Sequence, residues 1–243
     1  MLDQFKLDGD VKVEAEKDSL GSGGFVLDSD AYNMIVAVAY LSTSKGGATA
    51  INFHFKKEDG NEWKNTIYIT NKNGEPFYKD KKTGEKKPLP GMSQVNSILQ
   101  LMVGKSIHEL ETTEKVVNIY DYNAKGDVPT KVPVLTDIIG KGITLGIMKI
   151  IEDKNVKGSD GIYRPSGETR EGNEIAKAFR ASDKLTNAEI LAGVSDHTFY
   201  DNWVDKNKGE VRNKAKGGAK NAGTAGAPKA NTAPVPADDL FGN

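Results

Sequence analysis

Hydrophobic and polar residues alternate in several stretches of the first third of the chain, the spacing of a β-strand with one buried face. Residues 33–42 are instead a continuous apolar run, which predicts a strand buried on both faces. The dipeptide Asp59-Gly60 separates two alternating stretches and predicts a hairpin turn. The alternating apolar positions are Val11, Val13 and Ala15 in residues 11–16, Ile51, Phe53 and Phe55 in residues 49–57, and Ile67 and Ile69 in residues 62–71.

The period then changes to that of a helix. In residues 93–103 the apolar positions follow the i, i+3, i+4, i+7 spacing of one helix face, with Ser93 as the expected N-cap and Gly104 as the expected stop. These apolar positions are Val95, Ile98, Leu99 and Met102. Two further strands are predicted in residues 115–122 and 143–151.

The order of three strands, a helix and two strands is that of an OB-fold, a five-stranded Greek-key barrel that binds oligonucleotides on its outer face. We therefore predict a mainly β fold of this type, with the helix between strands 3 and 4. Short C-terminal helices are expected at a capping box that begins at Thr186 and in residues 198–206, where Phe199 and Trp203 are one turn apart.

Charge divides the chain of 243 residues into two unlike parts. Residues 1–203 hold 26 basic and 30 acidic residues, whereas residues 204–243 hold seven basic and four acidic ones, so the net charge of −1 is an average. Within residues 214–237, 15 of 24 residues are Ala, Gly or Pro, a composition typical of disorder. We predict an OB-fold domain with terminal elaborations in residues 1–205 and a flexible basic linker in residues 206–243.

The linker ends in an acidic-aromatic tip, which has the form of a peptide ligand for a partner protein. The tip consists of Asp238, Asp239, Leu240 and Phe241. A solubilising terminus with a chance Leu-Phe pair is the alternative.

Other features of the composition concern location. The chain has no cysteine, which fits a reducing cytoplasm. It has no apolar run of about 18 residues that could span a membrane, and its first residues lack the basic and apolar regions of a signal peptide. We therefore expect a cytoplasmic protein, in the cytoplasm of a bacterial host if it is viral, with no membrane partner.

Patterns for enzyme chemistry are weak. Gly104-Lys105-Ser106 lacks the upstream glycine of a phosphate-binding loop, and the three histidines are scattered without metal-ligand spacing. The carboxylate pairs Asp8/Asp10 and Asp28/Asp30 could hold a magnesium ion, although Asp-rich turns are the ordinary explanation. We expect no catalytic residues, no cofactor and no metal.

Patterns for nucleic-acid binding are stronger, because aromatic faces stack on bases and basic groups follow the phosphates. If Ile51, Phe53 and Phe55 face the interior, their polar neighbours face outward, and the same alternation applies to the third and fourth strands, where Val117 and Ile119 are expected to point inward. The residues predicted on this outer surface are His54, Lys56, Lys64, Tyr68, Asn118, Tyr120 and Tyr122.

Residues 76–88 predict a basic arm that could close over a nucleic-acid strand. Five lysines oppose two acids there, two aromatic residues lie at its base, and Thr83-Gly84 indicates a turn. The candidate binding residues of the arm are Phe77, Tyr78, Lys79, Lys81 and Lys82. An ordinary solvated loop is the alternative.

The strand order, the Gly/Ala/Pro-rich tail and the tip at residues 238–241 together resemble the single-stranded DNA-binding proteins of tailed bacteriophages. The resemblance implies coating of single-stranded DNA during replication and recombination. It also implies a tail that recruits replication or recombination proteins and competes with DNA for the basic groove.

Two alternatives belong to other classes. The first is a metal-dependent nucleic-acid-processing enzyme that uses the Asp8/Asp10 or Asp28/Asp30 carboxylates. The second is a protein-interaction module in which the barrel only carries the tail.

Overall fold

The computed structural model describes residues 26–121, 123–159 and 163–216, and within them the chain forms ten strands and three α-helices. The strand predicted at residues 11–16 lies outside the described residues. The strands are β1 (Asp30–Thr43), β2 (Thr49–Lys57), β3 (Glu62–Tyr68), β4 (Phe77–Lys79), β5 (Lys86–Pro88), β6 (Thr112–Asp121), β7 (Gly126–Leu135), β8 (Gly142–Lys157), β9 (Tyr163–Arg180) and β10 (Val211–Asn213). The helices are α1 (Pro90–Val103), α2 (Asn187–Leu191) and α3 (Thr198–Asn207), with 3₁₀ turns at Ile107–Glu109 and Thr136–Ile138.

Eight of these strands form one sheet, which confirms the prediction of a mainly β fold. Strand β1 is its centre: residues 30–35 pair with β8, residues 34–43 pair with β2, and Tyr40 also pairs with Val134 of β7. β2 continues to β3, β7 to β6 and β8 to β9, all antiparallel, whereas β10 lies parallel to β8. β4 and β5 form a separate two-stranded sheet.

The inner face of this sheet carries the main core. Ile51, Phe53 and Phe55 of β2 are fully buried, as their alternation predicts, and Phe53 stacks on Phe55 with ring centroids 5.2 Å apart. β1 was expected to be buried on both faces, and this is wrong for part of its length, because Ile35 is 51% exposed. The outer face of β1 is therefore exposed along the part of the strand where no other element packs against it.

Helix α1 closes one side of the core, and its buried residues include Val95, Ile98 and Leu99 of the predicted stripe. It begins three residues before the predicted N-cap Ser93, with Leu89 as the cap residue. Pro90 explains this start, since proline has a preset φ and lacks the N–H that the first turn would leave unpaired. Gly104 ends the helix with φ 69°, as predicted.

Strands β3 and β9 face each other without pairing, so the described residues do not form a closed barrel. A gap of about 580 Å³ lies between residues 62–64 of β3 and residues 171–173 of β9. Beside this gap, the side chain of Asn173 pairs with the main chain of Leu27, accepting from its N–H at 2.8 Å and donating to its carbonyl at 2.7 Å. This amide attaches the segment before β1 to β9.

Three strands of the main sheet were not predicted from the sequence. β7 contains Pro129 and Pro133, which count against a strand. β9 has few apolar residues, because its first half projects with β8 as an exposed ribbon. β10 follows residue 205, the predicted end of the folded domain, so the sheet extends beyond that boundary.

Helices α2 and α3 both occur where the sequence predicts helix. The capping box is present: the Glu189 N–H donates to Thr186 Oγ1 and the Thr186 N–H donates to the Glu189 carboxylate. α3 places Trp203 on Gly146 of β8, where a Cβ would lie 2.8 Å from the indole ring. A glycine is therefore required for this close approach. Within the described residues, no helix combines the length and apolar character that a bilayer crossing requires.

Candidate nucleic-acid interface

The outer face of β2 and β3 carries the polar residues that the alternation places there. His54 lies opposite Lys64, Asn52 lies opposite Thr66, and Tyr68 pairs with Ala50 farther along the strands. Lys56 and Tyr68 are exposed, with 53% of Tyr68 accessible. The predicted outward orientation of this set is confirmed for His54, Lys56, Lys64 and Tyr68.

The β6–β7 hairpin forms a second apolar cluster with β1, distinct from the main core. Tyr40, Val132 and Val134 are buried in it, and Val38, Val117 and Ile119 pack against them. The expectation that Val117 and Ile119 face the barrel interior is therefore wrong. β6 pairs with β7 rather than with a core strand, so the apolar face of β6 covers the outer side of β1.

A cleft of about 360 Å³ lies between this hairpin and the outer face of β2 and β3. Asn52 in its lining is fixed by two hydrogen bonds: its amide N–H donates to Ser42 Oγ at 2.7 Å and its oxygen accepts from Thr66 Oγ1 at 2.8 Å. We call this space the β6 cleft. Its lining side chains include Tyr40, Asn52, His54, Lys64, Thr66, Asn118, Ile119 and Tyr120.

His54 is one of the titratable residues that line the β6 cleft. Its imidazole makes an edge-on contact with the Tyr40 ring, with centroids 5.8 Å apart. Burial lowers the pKa of His54 below its usual 6.5, and the positive charge of Lys64 lowers it further, against weaker opposing effects of Glu62 and Asp127. The imidazole is therefore neutral at pH 7 and can donate one hydrogen bond and accept another.

The predicted basic arm is the β4–β5 hairpin, in which Tyr78 pairs with Lys87. Lys87 also forms an ion pair with Asp80 at 2.6 Å, and this hydrogen bond lowers the pKa of the Asp80 carboxyl. Lys86 places its ammonium 4.3 Å from the centre of the Phe77 ring, a cation–π contact. The side chains of Tyr78, Lys79, Lys81 and Lys82 are exposed.

The predicted binding residues thus fall into two groups. His54, Lys64 and Tyr120 meet at the β6 cleft, while Lys56 and Tyr68 lie on the same outer face without lining it. Phe77, Tyr78, Lys79, Lys81 and Lys82 belong to the separate β4–β5 hairpin. Tyr122 and the tip residues Asp238, Asp239, Leu240 and Phe241 lie outside the described residues.

Sequence reasoning missed Tyr40, which forms part of the wall of the β6 cleft. It lies in the apolar run of β1 and is 6% exposed, and burial raises the pKa of its phenol. The sequence did contain an indication of this site. A tyrosine in an otherwise aliphatic run needs a place for its hydroxyl group, so Tyr40 indicates a polar environment on one face of β1.

The carboxylates considered for a metal site are not gathered together. Asp30 forms an ion pair with Lys208 at 3.0 Å, and Asp28 lies 3.9 Å from the ammonium of Lys149. In the described part of the chain, no group of three or more His, Cys, Asp or Glu residues is placed to hold an ion. Asp8 and Asp10 lie outside the described residues.

No protein-family model matches the chain, and no curated protein sequence matches it.

Proposed function

We propose that this chain is a single-stranded DNA-binding protein that acts by binding, without a chemical step. The observation that carries the proposal is the β6 cleft, where aromatic, amide, imidazole and lysine side chains meet on the outer face of a sheet. Its volume of about 360 Å³ gives room for a single base. Aromatic rings supply stacking worth about 1–3 kcal/mol per base, and lysines supply the salt-dependent attraction to phosphate.

We also propose an OB-type architecture, which would support this function. β1 to β3, α1, β8 and β9 follow the βββαββ order of that fold, with β1 shared between β2 and β8. The β6–β7 hairpin would then be an insertion between the helix and the fourth strand of the barrel. The seam between β3 and β9, which face each other without pairing, would be where such a barrel stays open.

The biological setting follows the resemblance to phage proteins. In that setting the protein coats and protects single strands during phage DNA replication, recombination or repair, and the tip at residues 238–241 recruits replication or recombination proteins.

Titration of the full-length chain with fluorescent oligothymidine tests the proposal. We expect Tyr120→Ala to weaken binding by roughly 5- to 150-fold, for the loss of one stacking contact, and Lys64→Ala to weaken binding most at low salt, for the loss of one phosphate contact. Lys105→Ala is the matched control, because it removes one positive charge from a lysine that is paired with Asp137 at 2.9 Å and does not line the β6 cleft.

Three results would contradict the proposal. They are absence of binding to single strands, equal affinity for duplex DNA, and an effect of Lys105→Ala as large as that of Lys64→Ala.

A further inference from the structure

The edge of β9 that faces the seam between β3 and β9 has no strand partner among the described residues. β9 pairs with β8 on its other side, and β3 across the seam pairs with β2. The gap of about 580 Å³ borders residues 171–173 of β9, and a second gap of about 360 Å³ borders residues 173–175. Space for another strand therefore lies beside β9 along residues 171–175.

Hydrogen bonds made by β8 determine which main-chain groups of β9 point into the seam. The Lys149 N–H donates to Ser29 Oγ at 2.7 Å, so Lys149 is not bonded to Asn173, which lies opposite it on β9. The carbonyl of Ile151, opposite Glu171, likewise accepts from the N–H that follows β10. Since bonded and non-bonded pairs alternate in an antiparallel ladder, Asn173 and Glu171 direct their N–H and C=O groups into the seam.

The described residues begin at this seam. Val26 lines the larger gap, and Leu27 is bonded through its N–H and its carbonyl to the side chain of Asn173. From there the chain enters β1, which is antiparallel to β8 and therefore has the same direction as β9. A segment that precedes Val26 and folds back beside β9 is consequently antiparallel to β9.

Residues 11–16, which lie outside the described residues, are the part of the chain whose pattern suits this edge. They alternate three apolar with three charged residues, as expected of a strand with one face on a core. Residues 17–25 connect them to Val26, and the glycines within residues 21–24 favour a reversal of chain direction. The apolar side of such a strand would meet Trp63, which lines the larger gap and is buried.

Charge favours one register of residues 11–16 on β9. In this register each charged residue that lies opposite a charged residue of β9 meets the opposite sign. Its pairs include Lys12 with Glu174, Val13 with Asn173 and Glu16 with Arg170. Shifting the segment by two residues one way places Glu16 opposite Glu168. Shifting it the other way places Glu14 opposite Glu174, and like charges directly opposite destabilise a sheet.

We propose that residues 11–16 pair antiparallel with the edge of β9 in this register and occupy the seam between β9 and β3. Val13 and Ala15 form the bonded pairs, because Asn173 and Glu171 opposite them direct their main-chain groups into the seam. The opening that β3 and β9 leave in the main sheet then holds a further strand. None of the paired residues lines the β6 cleft, so the pairing is independent of the proposed function.

Engineered cysteines test the register, because the chain has no cysteine of its own. Glu14→Cys with Gly172→Cys places two thiols directly opposite each other, within the Cα separation of about 4.4–6.8 Å that a disulfide needs. A Cβ at residue 172 has Ile150 Cγ1 at 3.7 Å as its nearest neighbour, so the site accepts a side chain.

Val13→Cys with Gly172→Cys is the matched control, since residue 13 faces the other side of the strand. In dilute full-length protein under mild oxidation, we expect the intramolecular disulfide to form at least about tenfold faster in the Glu14 pair than in this control. Equal rates in the two pairs would overturn the proposal. So would a disulfide-linked dimer, because the strand would then belong to a second copy.

Lysine substitutions test which face of residues 11–16 is buried. Val13→Lys directs a charge toward the inner side of the seam, so the urea midpoint of unfolding should fall by roughly 0.5–1 M. Glu14→Lys introduces the same side chain on the outer face and should leave the midpoint unchanged. Equal midpoints for the two variants would contradict a strand with its apolar face in the seam.

Discussion

At the scale of single residues, His54 is held where its charged form is disfavoured. Burial in the β6 cleft lowers its pKa, and the positive charge of Lys64 acts in the same direction. A neutral imidazole suits the polar edge of a base, which offers donors and acceptors, better than it suits a phosphate. On the proposed function, phosphate attraction at this site therefore comes from Lys64 rather than from His54.

The lowered pKa makes folding stability depend on pH. In the unfolded chain His54 takes up a proton near pH 6.5, whereas the folded state resists protonation until a lower pH, so its contribution to stability is full above pH 6.5 and is lost as the pH falls toward the folded pKa. We expect urea unfolding of His54→Gln to depend less on pH between about 7 and 5 than that of the wild type. His108 and His197 are present in both proteins, so their effects cancel. Identical pH dependence would contradict the lowered pKa.

Gly146 is a second residue whose identity is fixed by its neighbour. A Cβ there would lie 2.8 Å from the Trp203 ring, so Gly146→Ala should push α3 away from β8 and destabilise the fold by about 1–3 kcal/mol. Urea unfolding followed by tryptophan fluorescence measures this. Gly172→Ala in β9 is the control, because its nearest neighbour would be Ile150 Cγ1 at 3.7 Å, an ordinary contact. If Gly146→Ala and Gly172→Ala change the free energy of unfolding equally, the packing of α3 on β8 does not require a glycine at residue 146.

At the scale of elements, the β4–β5 hairpin is the part of the proposed interface that electrostatics should govern. Lys79, Lys81 and Lys82 are exposed on it, while Lys87 is paired with Asp80. Each lysine that neutralises a phosphate of a single strand contributes about −0.7 to the slope of log affinity against log salt.

Replacing Lys79, Lys81 and Lys82 together by Gln should therefore reduce that slope by up to about 2 units and weaken binding most at low salt. Oligothymidine titrations at several salt concentrations give the slope. Lys87→Gln is the comparison, and we expect a smaller change from it because that ammonium already has a partner. An unchanged slope in the triple variant would exclude the arm from the path of the DNA.

The elements that the sequence predicts are those with strong local periodicity. β2 and α1 alternate or repeat clearly, because each buries one face against a continuous core. β7 and β9 carry no such signal. Their strand conformation depends on pairing with β6 and β8, and this pairing leaves no pattern in the sequences of β7 and β9 themselves.

The same reasoning applies to the candidate site. Alternation places His54 and Lys64 on the outer face, since both lie on strands whose opposite face carries buried apolar residues. It does not predict that the β6–β7 hairpin folds over that face and converts a flat surface into the β6 cleft. Tyr40 belongs to the site only because of this crossing, which joins residues far apart in the sequence.

At the scale of the whole molecule, the net charge of −1 does not describe the surface that a nucleic acid would meet. Local charge determines where phosphate docks, whereas the total affects solubility and long-range steering. The main sheet continues through β10, and the backbone N–H of Lys216 donates to the Asp153 carboxylate at 3.0 Å. Among the described residues, residue 216 is therefore the last one that is attached to the sheet. A truncation that removes the tail and keeps the sheet should end at this residue.

Removing residues 217–243 should separate the two roles proposed for the chain, which are binding of single-stranded DNA and recruitment of partner proteins. The tip brings the carboxylates of Asp238 and Asp239, which on the proposed function compete with phosphate for the lysines of the binding face. We expect affinity for oligothymidine to stay equal or become a few times tighter, with the gain largest at low salt, because screening weakens the competing carboxylates. Recruitment of replication or recombination proteins should be lost.

The full-length double variant Asp238→Asn with Asp239→Asn is the matched control for this truncation, since it removes only the carboxylates. It should reproduce the gain in DNA affinity while keeping Leu240 and Phe241 for a partner. Fluorescence titration and pull-down with both proteins distinguish the contributions. A large loss of DNA affinity on truncation would instead make Lys220 and Lys229 of the tail principal phosphate contacts, and would contradict a tip that competes with DNA.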